Sequence, residues 1–168
     1  MIILAIDAGT TQSGYALLND SYIPIEFGKL DNNALIVEFL RMKHQYGFDL
    51  AIFEQLSSYG NIIGDTVLQT AVWTGRLHQK ILDDCGNNFP ILYVKRKQYV
   101  TDLTTNPKAK DSNVRQYLVD RFEPNASNNG KGTKKNPSRF YGVSADAWTA
   151  IAVAVWCMDN ILGNKAHV

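Results

Sequence analysis

The chain has 168 residues, of which 45% are hydrophobic and 20% charged, and its formal net charge is +1. This length and composition are those of a globular protein and exclude an intrinsically disordered chain, and we expect residues 1–168 to form a single domain. No apolar run reaches the roughly 18 to 20 residues that a membrane span needs, and the first run is too short for a signal peptide. We therefore expect a cytoplasmic protein with no membrane partner.

Short runs of branched and aromatic residues alternate along the chain with longer amphipathic stretches. The short runs predict five strands, at residues 2–7, 14–18, 22–27, 50–53 and 91–94. Apolar residues at helical spacing predict four helices, at residues 33–46, 62–84, 111–121 and 144–162. Residues 124–137, rich in Asn, Ser, Gly and Lys, predict a loop. This order predicts an α/β fold, a mixed five-stranded sheet with helices on both faces.

Three acidic residues fall at the ends of predicted elements. Asp7 and Glu54 end two strands, and Asp146 lies in the first turn of the last helix. If the two strands are parallel neighbours, their carboxyl ends meet at one edge of the sheet. Carboxylates gathered there repel one another unless divalent cations lie between them, which indicates metal-assisted phosphodiester cleavage. Each acid alone also fits a structural role, as a turn cap, an exposed strand end or a partner of the helix dipole.

The near-neutral net charge conceals an uneven distribution. Residues 95–139 contain eleven Lys and Arg against four Asp and Glu, a net +7, so the rest of the chain carries −6. Clustered cations of this kind suit a polyanion such as nucleic acid, because each neutralised phosphate releases counterions. A solvated loop with incidental charge is the alternative.

Four segments, in this order, resemble the RuvC-type Holliday-junction resolvases. They are IDAGTTQSGYA at residues 6–16, FEQ at 53–55, KAKDSNVRQYLV at 108–119 and ADAWTAIAVA at 145–154. The resemblance covers nearly the whole chain, and the short length is similar to that of a phage-encoded member, which would act in the host cytoplasm. It implies a ribonuclease-H-like fold, a homodimer, dependence on Mg²⁺ with Mn²⁺ as a substitute, and paired nicking of four-way junctions, with forks and flaps as further substrates.

The resemblance also implies roles for individual residues. Asp7, Glu54 and Asp146 would be the catalytic residues and the metal ligands, with Asp7 shared between two ions. Tyr59 is predicted from its own position, in the loop after Glu54, to stack on an unpaired base at the branch point, although a surface tyrosine without that role fits equally. The basic residues predicted to contact the DNA backbone are Lys108, Lys110, Arg115, Lys131, Lys134, Lys135 and Arg139. Of these, Lys134 and Lys135 are best placed, because their loop leads directly towards Asp146.

The chain departs from the family pattern at two places. The family has a fourth acid three residues from the other acid of the last motif, and Thr149 or Val143 stands in its place, depending on the alignment. The lysine of the basic helix motif is also displaced, since Asp111 stands near its position and Lys110 lies beside it.

Two other interpretations remain open. With only three acids, the chain could be a non-catalytic module that binds branched DNA. Residues 7–11, DAGTT, also resemble the phosphate-binding motif of sugar kinases and actin-like ATPases. Those proteins place nucleotide between two such domains and use a second glycine-rich motif, which this sequence lacks.

Overall fold

Branched and aromatic residues build a mixed sheet in the computed structural model, which describes residues 1–57, 60 and 63–163. The strands are β1 (Ile2–Asp7), β2 (Gln12–Asn19), β3 (Pro24–Asp31), β4 (Leu50–Gln55) and β5 (Ile91–Lys95). The helices are α1 (Asn32–Tyr46), α2 (Asp65–Cys85), α3 (Arg96–Thr104), α4 (Asp111–Phe122), the single turn α5 (Ser127–Gly130) and α6 (Ala147–Cys157). A π-helical segment, Met158–Leu162, continues α6.

The strands lie in the order β3-β2-β1-β4-β5. The first three strands pair antiparallel, whereas β1 with β4 and β4 with β5 pair parallel. Ile6 is in register with Phe53, so the carboxyl ends of β1 and β4 meet at one edge of the sheet. The predicted fold class, a mixed five-stranded α/β sheet, is confirmed.

Helices cover both faces of the sheet. One core cluster joins strand residues such as Ile3, Ala5 and Ile52 to side chains of α3, α4 and α6. The other joins the intervening strand positions to α1 and α2. Strand side chains alternate between faces, so Asp7, two residues after Ala5, and Glu54, two residues after Ile52, lie on the α6 side.

The structure corrects several predicted boundaries. The third strand runs from Pro24 to Asp31 rather than over residues 22–27, because Gly28 to Asp31 continue the pairing with β2. The last helix begins at Ala147 rather than at residue 144, because Ala145 has a left-handed backbone with φ of 43°. Helix α3 was not predicted at all. Its sequence is polar, and only Tyr99, Val100 and Leu103 are buried.

The pairing of β2 with β3 contains one irregularity. Leu18 is in register with Pro24, but Leu17 is in register with Glu26, so Ile25 is an extra residue in β3. A bulge of this kind shifts every later pair of the two strands by one residue. As a result, Lys29 and not Gly28 lies opposite Gly14.

None of the helices in the described ranges combines the length and the hydropathy that are needed to cross a bilayer.

Two buried polar side chains fix the turn that follows Asp7. Ser13 and Asn32 are fully buried. The Ser13 hydroxyl donates to Asn32 Oδ1 at 2.6 Å, and Asn32 Nδ2 donates to the Gly9 carbonyl oxygen at 3.0 Å. The backbone N–H of Gly9 donates to Ser13 Oγ at 3.2 Å. The start of α1 is therefore tied to the β1–β2 turn through a closed set of hydrogen bonds, in which the groups satisfy one another.

Replacing Asn32 with alanine should destabilise the protein by about 3 kcal/mol, because the Ser13 hydroxyl and the Gly9 carbonyl lose their partners. Urea unfolding, monitored by circular dichroism, measures the change in the free energy of unfolding. Asn33→Ala is the matched control, since Asn33 is the next residue of the same helix and is exposed. Equal stability of the two variants would contradict the anchoring role of Asn32.

Candidate active site

The carboxyl ends of β1 and β4 and the start of α6 bring the three predicted acids to one region. Asp7 is the last residue of β1 and is in register with Gly14 of β2. Glu54 lies near the end of β4. Asp146 is the residue immediately before α6, and its side chain makes no capping hydrogen bond to the helix. The carboxylate of Asp146 is therefore not used to cap the helix.

Gly14 allows Asp146 to lie directly on the sheet. A β-carbon at position 14 would be 2.6 Å from the backbone oxygen of Asp146 and 2.7 Å from its Cβ. These distances are far below van der Waals contact, so any side chain at position 14 would displace the start of α6. Because Gly14 is the partner of Asp7, this close approach sets Asp146 beside the end of β1.

The negative charges of Glu54 and Asp146 both act on the carboxyl group of Asp7. Its pKa is raised from 3.8 to about 7, first by burial and then by the negative charges of Glu54 and Asp146. A hydrogen bond with the Thr149 side chain and the positive charge of Arg96 act in the opposite direction. An acid whose charge is disfavoured in this way is a natural ligand for an added cation.

The donor set fits a hard divalent cation in its chemistry, because it consists of carboxylate oxygens. Within the described part of the chain, however, no three His, Cys, Asp or Glu side chains are grouped closely enough to hold one ion. Asp7 is thus a shared neighbour of Glu54 and Asp146, rather than one corner of a preformed cage. The prediction that all three are metal ligands stays a prediction.

Glu54 is held by a chain of hydrogen bonds that the sequence did not reveal. Burial raises its pKa, whereas the Tyr99 hydroxyl, which donates to Glu54 Oε2 at 3.0 Å, lowers it, as does the charge of Arg96. Arg96 donates to the Tyr99 hydroxyl at 3.0 Å and to Asp111 Oδ1 at 2.5 Å. Arg96 and Tyr99 belong to α3, the helix that was not predicted, and the only signal for them was the basic segment itself.

Asp146 is paired with a lysine that sequence analysis also missed. Lys29 Nζ lies 2.7 Å from Asp146 Oδ2. Lys29 is in β3, in register with Gly14, at a position beyond the predicted end of that strand. The candidate site therefore contains an ammonium group among its carboxylates.

The structure distinguishes the two positions considered for a fourth acid. Thr149 lies in the first turn of α6 and hydrogen-bonds Asp7. Val143 is fully buried in the core cluster on the α6 side of the sheet. Of these two positions, Thr149 is therefore the one beside Asp7, and it places a hydroxyl there.

A cleft of about 370 Å³ lies beside Asp146 and Thr149, with Arg115 of α4 in its wall. The Arg115 guanidinium is stacked over the Trp148 ring, 4.8 Å from the ring centre. A smaller cleft of about 200 Å³ is lined by Asp7, Glu54 and Arg96. Among the predicted DNA contacts that the structure describes, Arg115 thus lines the same cleft as Asp146.

The other basic candidates lie in different surroundings. Lys108 and Lys110 are exposed before α4, and Lys131 is half-buried. Lys134 and Lys135 are exposed at the tip of a turn that is closed by pairing of Gly132 with Pro137.

Two further predicted contacts need separate mention. The guanidinium of Arg139 donates to the Ser21 and Tyr22 carbonyl oxygens and pairs with Glu123 at 3.7 Å, so it already has partners within the protein. Tyr59 lies outside the described residues. Its stacking role therefore stays a prediction.

Comparisons with protein-family models and with curated protein sequences give no match. Among solved structures, Thermus thermophilus RuvC in complex with a Holliday-junction substrate matches with a TM-score of 0.68, at 11% identity, over 93% of this chain and 92% of that chain. The chain has the ribonuclease-H-like fold of RuvC. A second Thermus thermophilus RuvC structure matches with a TM-score of 0.61 at 13% identity, over 93% of this chain and 92% of that chain. The yeast mitochondrial Holliday-junction resolvase Ydc2 matches with a TM-score of 0.62 at 14% identity, over 98% of this chain and 80% of that chain.

Replacing Gly14 with alanine should destabilise the RuvC-like fold by about 1 to 3 kcal/mol, because the new methyl group overlaps the backbone of Asp146. The measurement is chemical unfolding. Gly75→Ala is a suitable control, since nothing lies within 4 Å of a β-carbon there and alanine favours the α2 helix. A Gly14→Ala variant as stable as the wild type would show that α6 can move away from β2 at no cost.

Proposed function

We propose that this protein is a metal-dependent endodeoxyribonuclease that cleaves Holliday junctions and other branched DNA. One observation carries the proposal. Asp7, at the carboxyl end of β1, is close enough to Glu54 and Asp146 for both charges to raise its pKa. This arrangement stands in a fold that matches, over 93% of the chain, that of a RuvC bound to a Holliday junction.

In this proposal Asp7, Glu54 and Asp146 hold Mg²⁺, for which Mn²⁺ can substitute. Such ions, when bound, polarise the phosphate and activate a water molecule. The residues of the chain hold the ligands in place. Tyr99 orients the Glu54 carboxylate, and the backbone contact with Gly14 fixes Asp146. A rigid supporting shell of this kind keeps the ligand oxygens where the reaction needs them.

The basic segment supplies the DNA-binding surface in this proposal. Arg115 borders the cleft beside Asp146, and Lys134 and Lys135 project from an exposed turn that precedes it along the chain. Contacts of lysine and arginine with phosphates position the duplex without reading its sequence.

Cutting two strands symmetrically requires two such sites, so we also propose a homodimer. Helix α2 supports this, because Leu68 and Val72 are large apolar residues exposed on its surface. Exposed apolar side chains that lie one turn apart are typical of an interface between subunits.

A non-catalytic module that binds branched DNA is the second candidate. It is favoured by Thr149, which replaces an acid beside Asp7, and by the lack of a preformed three-ligand group in the described residues. The two candidates differ in one property, the Mg²⁺-dependent cutting of DNA.

Asp7→Asn should reduce Mg²⁺-dependent cleavage of a labelled four-way junction by about 10²- to 10³-fold, the loss expected when one electrostatic partner of a transition state is removed. Junction binding in EDTA should be largely unchanged. Asp83→Asn, which changes an exposed acid near the end of α2, is the control. Undiminished cutting would remove Asp7 from the mechanism, and binding without cutting by the wild type would support the non-catalytic module.

The Asp7→Asn variant should remain folded. The pKa of Asp7 in the fold is about 7, above its ordinary value of 3.8, so ionisation of this acid destabilises the folded state progressively as the pH rises between those values. At about pH 8 in EDTA the variant should therefore be at least as stable as the wild type. Thermal unfolding under those conditions separates a loss of chemistry from a loss of structure.

Replacing Lys134 and Lys135 with glutamine should weaken binding to all DNA and should reduce the slope of log K against log salt by up to about 2. The physical reason is that two exposed cations no longer displace counterions from the phosphates. Fluorescence anisotropy with junction and linear duplex at several salt concentrations measures the slope. Lys80→Gln, in α2 and outside the basic segment, is the control, and an unchanged slope in the double variant would exclude phosphate contact by this turn.

A further inference from the structure

Lys29 brings a positive charge to the candidate active site from a strand that carries none of the predicted site residues. Asp7, Gly14 and Lys29 are in register across β1, β2 and β3. Paired residues of antiparallel neighbours point to the same face of a sheet. Since Gly14 has no side chain, the space between Asp7 and Lys29 is filled by Asp146, whose carboxylate Lys29 meets at 2.7 Å.

The pairing of Lys29 with Asp146 is direct and accessible. The side chains of Lys29 and Asp146 are 38% and 40% exposed. Within the described residues, each of the two forms an ion pair only with the other. Arg96 has its own carboxylate partner in Asp111. The guanidinium of Arg115, which lines the cleft beside Asp146, lies over the Trp148 ring. Lys29 is therefore the group that directly balances the charge of Asp146.

An ammonium group and a divalent cation compete for the same carboxylate. Lys29 occupies Asp146 Oδ2, the kind of oxygen that an added ion would need. Thr149, which hydrogen-bonds Asp7, adds no negative charge that would help to attract a cation. The pair is partly exposed and so weak enough to be displaced, and a displaced ammonium would be free to contact a phosphate.

We propose that Lys29 is a positioning residue that holds the Asp146 carboxylate in the DNA-free protein and thereby lowers its affinity for divalent cations. This inference rests on the proposed function, because it assumes that Asp146 is a metal ligand. When a cation takes Asp146, Lys29 turns to a DNA phosphate, so that cation binding and DNA binding favour each other. The device weakens cation loading in the absence of DNA.

The test measures the binding of Mn²⁺ alone to the DNA-free protein by isothermal titration calorimetry. Lys29→Met keeps the aliphatic part of the side chain and removes the charge. It should bind Mn²⁺ about two- to fivefold more tightly than the wild type, the gain expected from removing a partly exposed competing ion pair. Lys29→Arg keeps the charge and should bind as the wild type does. Lys80→Met, in α2, is the control for loss of a lysine elsewhere, and thermal unfolding in EDTA confirms that each variant is folded.

A second measurement tests the release of Lys29 to DNA. With Ca²⁺ present, Lys29→Met should bind junction DNA with a salt slope smaller than that of the wild type by about 1, because one phosphate contact is lost. In EDTA, where Asp146 retains the lysine, the two slopes should be equal. Equal slopes in Ca²⁺ would overturn the release step.

The outcomes separate this inference from the proposed function. If wild type binds Mn²⁺, Asp7→Asn does not, and Lys29→Met binds no more tightly than wild type, the role of Lys29 is overturned while the metal-dependent function stands. If neither wild type nor Lys29→Met binds Mn²⁺, with or without DNA, both are overturned.

Discussion

The close contact between the backbone of Asp146 and Gly14 is the constraint on which the candidate site depends. Asp7 and Glu54 come together through the parallel pairing of β1 and β4, which the sheet alone guarantees. The third acid belongs to a different part of the chain and reaches them only because β2 presents no side chain at position 14. A single glycine thus decides whether two carboxylates or three face the same edge.

Packing at this edge creates an electrostatic conflict that the rest of the fold partly relieves. The Asp7 carboxyl is buried beside two other acids, and its pKa is raised accordingly. Relief comes from Thr149 at Asp7, from Tyr99 and Arg96 at Glu54, and from Lys29 at Asp146. Thr149 and Tyr99 bring no charge, and Arg96 also pairs with Asp111, so the region keeps its preference for added positive charge. Such local destabilisation is typical of functional sites, and the core on both faces of the sheet compensates for it.

Much of the fold followed from patterns in the sequence. The runs of branched residues located all five strands, and their order predicted the mixed sheet. The three acids were found because strand ends and helix starts are recognisable from composition. Helix α3 was missed because it is short and polar, with three buried positions and no clear apolar stripe. Arg96 and Tyr99, which belong to this helix and interact with Glu54, were therefore missed as well. Lys29 was missed for another reason, since the bulge and the length of β3 are set by pairing with β2 and not by the local composition.

The bulge at Ile25 has a consequence for how this site can change over time. The extra residue puts Lys29, and not Gly28, opposite Gly14. If the bulge were absorbed, so that Ile25 paired with Leu17, Gly28 would lie opposite Gly14 and Lys29 would turn towards the α1 side, because strand side chains alternate. This shift of register, distant from every acid in the sequence, would make the pocket more negative by a full unit. Relatives of this protein can thus evolve different cation requirements through the pairing of this hairpin while keeping an identical set of carboxylates.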